Sequence, residues 1–147
     1  MARMTAPPPA LGSWTPTVVL MFLAFAFAYF LSALLRAVTA TLAPTFSQEL
    51  SLTSADLGLL AGAYFLGFSL TQLPLGQALD RWGAKRVVLV LLSVASLACL
   101  AFSQSTSLTA LVASRMAIGV GVSACLMAPL TAYRKAMAPD QQLRANA

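Results

Sequence analysis

Two arginines, Arg36 and Arg115, stand inside long uncharged stretches of this sequence, and four more charges, Asp80, Arg81, Lys85 and Arg86, crowd the junction between two such stretches. An arginine in apolar surroundings costs about 2.5–3.5 kcal/mol on membrane-insertion scales and is usually there for a function. Its planar fork matches a carboxylate or phosphate, and the attraction strengthens as water is excluded. The chemistry on offer is recognition of an anion rather than bond making. The chain has no His, its Cys99 and Cys125 lie in apolar runs, and its only acids are Glu49, Asp56, Asp80 and Asp140. No nucleophile and base pair up and no set of metal ligands assembles, so no enzyme, metal site or cofactor is expected.

The surroundings of these charges are those of a membrane protein. Of 147 residues 59% are hydrophobic and 9% charged, and the mean hydropathy is +0.82. So few charges do not solvate a soluble globule. The net charge of +5 does not mark a nucleic-acid binder either, because no stretch interleaves basic residues with exposed aromatics.

A helix needs about 20 apolar residues to cross the hydrocarbon, and four runs of that order appear, at 17–42, 57–79, 87–103 and 108–133. The first follows Pro7-Pro8-Pro9 and Pro16, is bounded by Pro44, and is too long for a signal peptide. Seven of the nine basic residues fall on one side: Arg3; Arg81, Lys85 and Arg86; and Arg134, Lys135 and Arg144. The connections 43–56 and 104–107 carry none. Lys and Arg of short loops stay cytoplasmic, so segments 1–16, 80–86 and 134–147, with both termini, are expected there.

Thr53-Ser-Ala-Asp56 has the form of a capping box, which makes Asp56 a helix cap rather than a proton carrier. Trp14 and Trp82 fall at expected interfaces, as anchors. Small residues let helices approach in lipid. Gly58 and Gly62 at GxxxG spacing, Ala113, Ala117 and Gly121 at steps of four, and Ser93, Ser96 and Ser103 are therefore read as packing seams, and the two cysteines as small buried residues.

Arg36 lies about six residues before the outer end of its span and Arg115 about seven after the outer start of its own, so at about 1.5 Å per residue both sit about 10 Å below one surface. They are expected to line one cavity. Tyr29, Ser32, Arg36 and Thr39 recur at helical spacing and share a face, and Tyr64, Phe68 and Gln72 form a weaker stripe. For Tyr29, Ser32 and Tyr64, ligand contact and interhelical hydrogen bonding both remain open. Arg36 reads as a cavity residue, with snorkelling to the outer surface as the alternative. No acid shares that depth, which leaves backbone carbonyls, water, an acid on other helices, or an anionic substrate as the counter-charge.

The segment from Gly76 to Arg86 does more than reverse the chain. Gly76 omits a side chain one turn before Asp80, Asp80 is the one acid among three bases, and Gly83 supplies the turn. This segment resembles the signature of the major facilitator superfamily, G-x-x-x-D-R/K-x-G-R/K-R/K-R/K, through Gly76, Asp80, Arg81, Gly83, Lys85 and Arg86; Ala84 departs from it. Arg115, Gly119 and Gly121 match the family's R-x-x-x-G-x-G pattern in the fourth helix. The resemblance implies about twelve helices in two halves built from inverted repeats, with the substrate between the halves. It also implies a conformational latch formed by the six signature residues, with Asp80 engaging the other half in the outward-facing state and Arg81 supporting it. A narrower resemblance, to organic-anion and organophosphate facilitators, rests on Arg36 followed eight residues later by Pro44, after the aromatic stretch Phe25 to Phe30. It implies that Arg36 binds an anionic group.

The expectation is an all-α membrane protein, four transmembrane helices forming a partial N-terminal half of a major facilitator fold, in the bacterial inner membrane. Its expected function is alternating-access transport of a small organic anion as a fragment of a longer transporter. The expected substrate contacts are Arg36, Arg115, Tyr29, Ser32 and Tyr64, with Gly58, Gly62, Gly119 and Gly121 packing the helices. The partners are the anion, the lipid bilayer and the missing C-terminal helices. The alternative is a four-helix membrane scaffold or regulator that transports nothing.

Overall fold

The computed structural model describes residues 16–136, so that Arg3, Trp14, Asp140 and Arg144 lie outside the described residues. The elements are α1 (Pro16–Glu49), α2 (Ser54–Trp82), α3 (Ala84–Ser103), α4 (Leu108–Val122) and α5 (Ala124–Ala136). Four stretches are long and apolar enough to cross a bilayer: Pro16–Val38, Ser54–Trp82, Ala84–Ser103 and Leu108–Tyr133. The last joins α4 to α5 through Ser123, which stays in the helical region. Its N–H reaches back only three residues, to the Val120 carbonyl at 3.2 Å, and its hydroxyl donates to the same oxygen at 2.7 Å. The helical ladder tightens there without breaking.

Pro44 does not end the first helix, which continues through it to Glu49. A proline removes one ladder bond and bends a helix, and membrane helices tolerate this where neighbours satisfy the freed backbone. At the start of α2, the capping box forms. The Thr53 N–H and hydroxyl donate to Asp56 Oδ2 at 2.9 and 2.7 Å, and the Asp56 N–H donates to Thr53 Oγ1 at 3.3 Å. Two otherwise orphaned amides of the first turn are thereby satisfied.

Between α2 and α3 stands a single residue. Gly83 has φ 80° and ψ 154°, a region almost reserved for glycine. Its N–H closes α2 on the Leu79 carbonyl at 3.0 Å, and its carbonyl accepts the Val87 N–H that opens α3 at 3.3 Å. One glycine thus ends one helix and starts the next.

The Leu108–Tyr133 span is the centre of the bundle, with 56% of its most apolar window buried against 11% for the first span. Its sequence explains this: Gly119, Gly121 and Ser123 keep one face narrow enough for two neighbours. A Cβ added at Gly119 would collide with the Tyr64 carbonyl oxygen, and one added at Gly67 with the Met116 carbonyl oxygen, so α2 and α4 cross backbone against backbone. A Cβ at Gly121 would come within 2.5 Å of the Ala95 amide nitrogen on α3.

Most of the other residues expected at seams lie on the outer face of the described helices. Gly58 and Gly62 have no heavy atom within 4 Å of an added Cβ among the described residues. They face away from α4, whose partner on α2 is the Ala63, Tyr64 and Gly67 face. Ala113 is exposed. Ser93 and Ser96 point outward, and their hydroxyls donate back to the Leu89 and Leu92 carbonyls, both at 2.9 Å. The buried residues of α3 are Val87, Val88, Ala95 and Ala98. Leu23, Phe27, Phe30, Leu73, Leu97 and Leu100 are all more than half exposed. Such a surface is stable against lipid or further helices and not against water.

Candidate functional site

Arg115 is 2% exposed in the middle of α4, and among the described residues no acid pairs with its charge. Nη1 donates to the Leu35 carbonyl of α1 at 3.0 Å. The guanidinium lies 5.1 Å from the Tyr64 ring centroid and 5.8 Å from that of Phe102. These are cation–π distances, and such contacts strengthen when desolvated. Among the described residues Nε has no hydrogen-bond partner, nor has the buried hydroxyl of Tyr64. Arg115 therefore joins all four spans: it grows from α4, bonds α1, and lies between rings of α2 and α3.

Arg36 follows Leu35 directly, yet its side chain is exposed. The expected polar stripe of α1 divides at this point. Tyr29 and Arg36 are seven residues, about two turns, apart and lie one above the other on the exposed edge. Ser32, 2% exposed, turns inward beside Ala28. The side chain of Thr39 lies outside the described residues. On α2, Tyr64 is buried, and Gln72 donates from Nε2 to the Ser123 carbonyl at 3.4 Å, so this stripe faces α4 and α5.

A cavity of about 470 Å³ opens where α1 and α3 end and α4 begins, lined by Glu49, Cys99, Phe102, Ser103, Thr106 and Arg115 among others. Arg36 does not line it. The two arginines are adjacent through the backbone of α1 but serve different surfaces, Arg115 the interior and Arg36 the exterior of the four helices. Sequence reasoning missed Gly67, Phe102 and the Leu35 carbonyl. The small residues Ala63 and Gly67, four apart and both buried, carried the signal for the first. No pattern in side chains announces a backbone carbonyl.

At the opposite end, Gly76, Asp80, Arg81, Lys85 and Arg86 are exposed and Gly83 is half-buried. Arg81 lies over the Trp82 ring at 5.8 Å. Asp80 forms no ion pair with the neighbouring bases among the described residues.

Together these features define an integral all-α membrane protein with a backbone-tight helix crossing and a buried arginine at its centre. Residues 25–147 match the sequence profile of the Major Facilitator Superfamily, and the chain belongs to that family. It is 29% identical over 93 residues to the probable sulfoacetate transporter SauU of Cupriavidus necator, an alignment covering 63% of this chain and 22% of that protein. The chain thus spans about a fifth of the length of the curated relative it matches. No solved structure matches it.

Proposed function

We propose that these helices are the first four spans of a longer facilitator that carries a small organic anion by alternating access, with both termini in the cytoplasm of a bacterial cell and the protein in its inner membrane. The observation that carries this reading is the exposed Arg36 on the edge of α1, set directly after a carbonyl that the buried Arg115 grips. In this reading Arg36 is the charge that meets the anion and Tyr29 lies on the same edge. Arg115, Tyr64 and Ser32 hold the helix that presents them. A guanidinium fork recognises carboxylate, sulfonate or phosphate oxygens in a low-dielectric cavity. Sulfoacetate, the substrate in the relative's name, belongs to that chemical class.

The signature segment supplies the moving contact. Asp80, exposed and unpaired by its neighbours, engages the second half of the transporter in the outward-facing state, while Arg81, Lys85 and Arg86 hold the turn at the membrane surface. Gly76 leaves room for the approaching helix, and Gly83 fixes the angle at which α2 and α3 present the carboxylate.

The test is uptake by the full-length transporter, with a panel of labelled organic anions and neutral sugars, in the native protein and in Arg36→Lys and Arg36→Ala. Saturable uptake of an anion that Arg36→Ala abolishes supports the reading. Uptake of neutral or cationic solutes alone, or anion uptake indifferent to Arg36→Ala, refutes it.

A further inference from the structure

A second cavity, of about 390 Å³, opens between α2 and α3 at the end of the bundle that bears the basic residues. Its walls are Leu75 and Ala78 from α2 and Val87, Val90 and Leu91 from α3. Thr71 also faces it, but its hydroxyl donates to the Gly67 carbonyl at 2.8 Å within its own helix, so it offers no free donor to a ligand. Trp82, 56% exposed, and Arg86 stand at the rim, and Arg86 is the one charged residue in the lining.

Three features of this groove point to one kind of occupant. An apolar trough that opens to the side of a membrane helix pair is solvated by hydrocarbon, not by water. An indole at the rim marks the depth at which amphipathic rings sit, between acyl chains and head groups. The charge at the mouth is positive, and Arg81 and Lys85 beside it outweigh Asp80, so the local field selects an anion. The groove owes its shape to Gly83, because a one-residue turn splays α2 and α3 from a common point. Pro74, inside α2, lines the wall as well.

We infer that this groove binds a phospholipid with an anionic head group, one acyl chain lying along Leu75, Val87 and Val90 and the phosphate meeting Arg86 beneath the Trp82 indole. The site is independent of the transport reading, since it uses neither Arg36 nor Arg115. Its place at the Asp80 turn gives the lipid a means of acting on that turn.

Trp14 and Trp82 are the two indoles of these 147 residues, so in the full-length transporter with Trp14 and any tryptophan beyond residue 147 replaced by Phe, fluorescence reports Trp82 alone. The probes are vesicles of phosphatidylcholine containing increasing amounts of either phosphatidylglycerol or phosphatidylcholine with brominated acyl chains, which quench an indole on contact. The expected result is half-maximal quenching at about fivefold less brominated phosphatidylglycerol than brominated phosphatidylcholine, the preference one basic contact supplies. Arg86→Gln abolishes that preference, while Arg86→Lys and Lys85→Gln, both at exposed positions, retain it, with unchanged helicity by circular dichroism in each case. Equal quenching by the two head groups overturns the inference. So does an equal loss in Lys85→Gln and Arg86→Gln, which marks diffuse surface charge, and so does protection of Trp82 from both lipids, which marks a groove filled by protein.

Discussion

Arg115 of α4 holds the carbonyl of Leu35 in α1 at 3.0 Å, one residue before the exposed Arg36. A buried charge thus bonds to the backbone that presents an exposed one. The first span is the least buried of the four, and towards its other end the rings of Phe22 and Phe25 pack on Tyr133 of α5 at 6.2 and 6.0 Å. A hydrogen bond from a charged donor is worth about 1.5–3 kcal/mol, and this one fixes α1 beside Arg36.

That bond separates positioning from stability. A buried charge replaced by an apolar side chain of similar volume is often neutral or stabilising. Arg115→Met should therefore leave the thermal midpoint unchanged or raised, while uptake by the full-length transporter falls about tenfold, as expected for the loss of one such bond. Differential scanning fluorimetry and an uptake assay on the same preparation check both halves of the statement.

The α2–α4 crossing gives a sharper contrast among glycines. Gly119→Ala drives a methyl group into the Tyr64 carbonyl and should cost about 1–3 kcal/mol, as overpacking does. Gly58→Ala meets open space among the described residues and should stay within about 0.5 kcal/mol of the native protein. Reversible unfolding in mixed micelles measures the difference.

Gly83 should be intolerant for a backbone reason. At φ 80° and ψ 154° any side chain is strained, so Gly83→Ala costs about 1–3 kcal/mol although space for its methyl is open. Hydrogen exchange should rise first at the Val87 amide, whose acceptor is the Gly83 carbonyl.

The divided stripe of α1 predicts opposite reactivity at neighbouring turns. In a background with Cys99 and Cys125 replaced, Arg36→Cys should react readily with a water-soluble maleimide, while Ser32→Cys, at a position 2% exposed, should remain unlabelled. Mass spectrometry of the labelled protein reads the ratio. Equal labelling at the two positions would place them on one face.

Much of this architecture was legible in the residues. Apolar run length gave the spans, because the bilayer imposes one thickness on every helix. Thr53 and Asp56 gave a helix start, because a capping box is a local bond pattern. Gly83 gave the turn because no other residue adopts its conformation cheaply. What the pattern did not reveal shares a cause. Gly58 and Gly62 have seam spacing as good as Ala63 and Gly67, and only the angular position of α2 against α4 decides between the pairs. Ser93 and Ser96 face outward because a serine in a helix satisfies itself on the preceding turn and needs no partner. Pro44 bounds an apolar run without ending the helix. Arg115 and Arg36 lie at similar depths, but depth does not give direction, and the carbonyl that holds Arg115 belongs to a leucine.

Equilibrium binding tests whether Arg36 meets an anion. The labelled organic anion that the native transporter takes up, titrated onto the purified full-length protein and onto its Arg36→Lys and Arg36→Ala forms, should bind about 10- to 100-fold more weakly to Arg36→Ala, the loss of one charged contact. Arg36→Lys should fall between the two, because it keeps the charge and loses the fork. An Arg36→Ala protein that binds the anion as tightly as the native one would contradict the account.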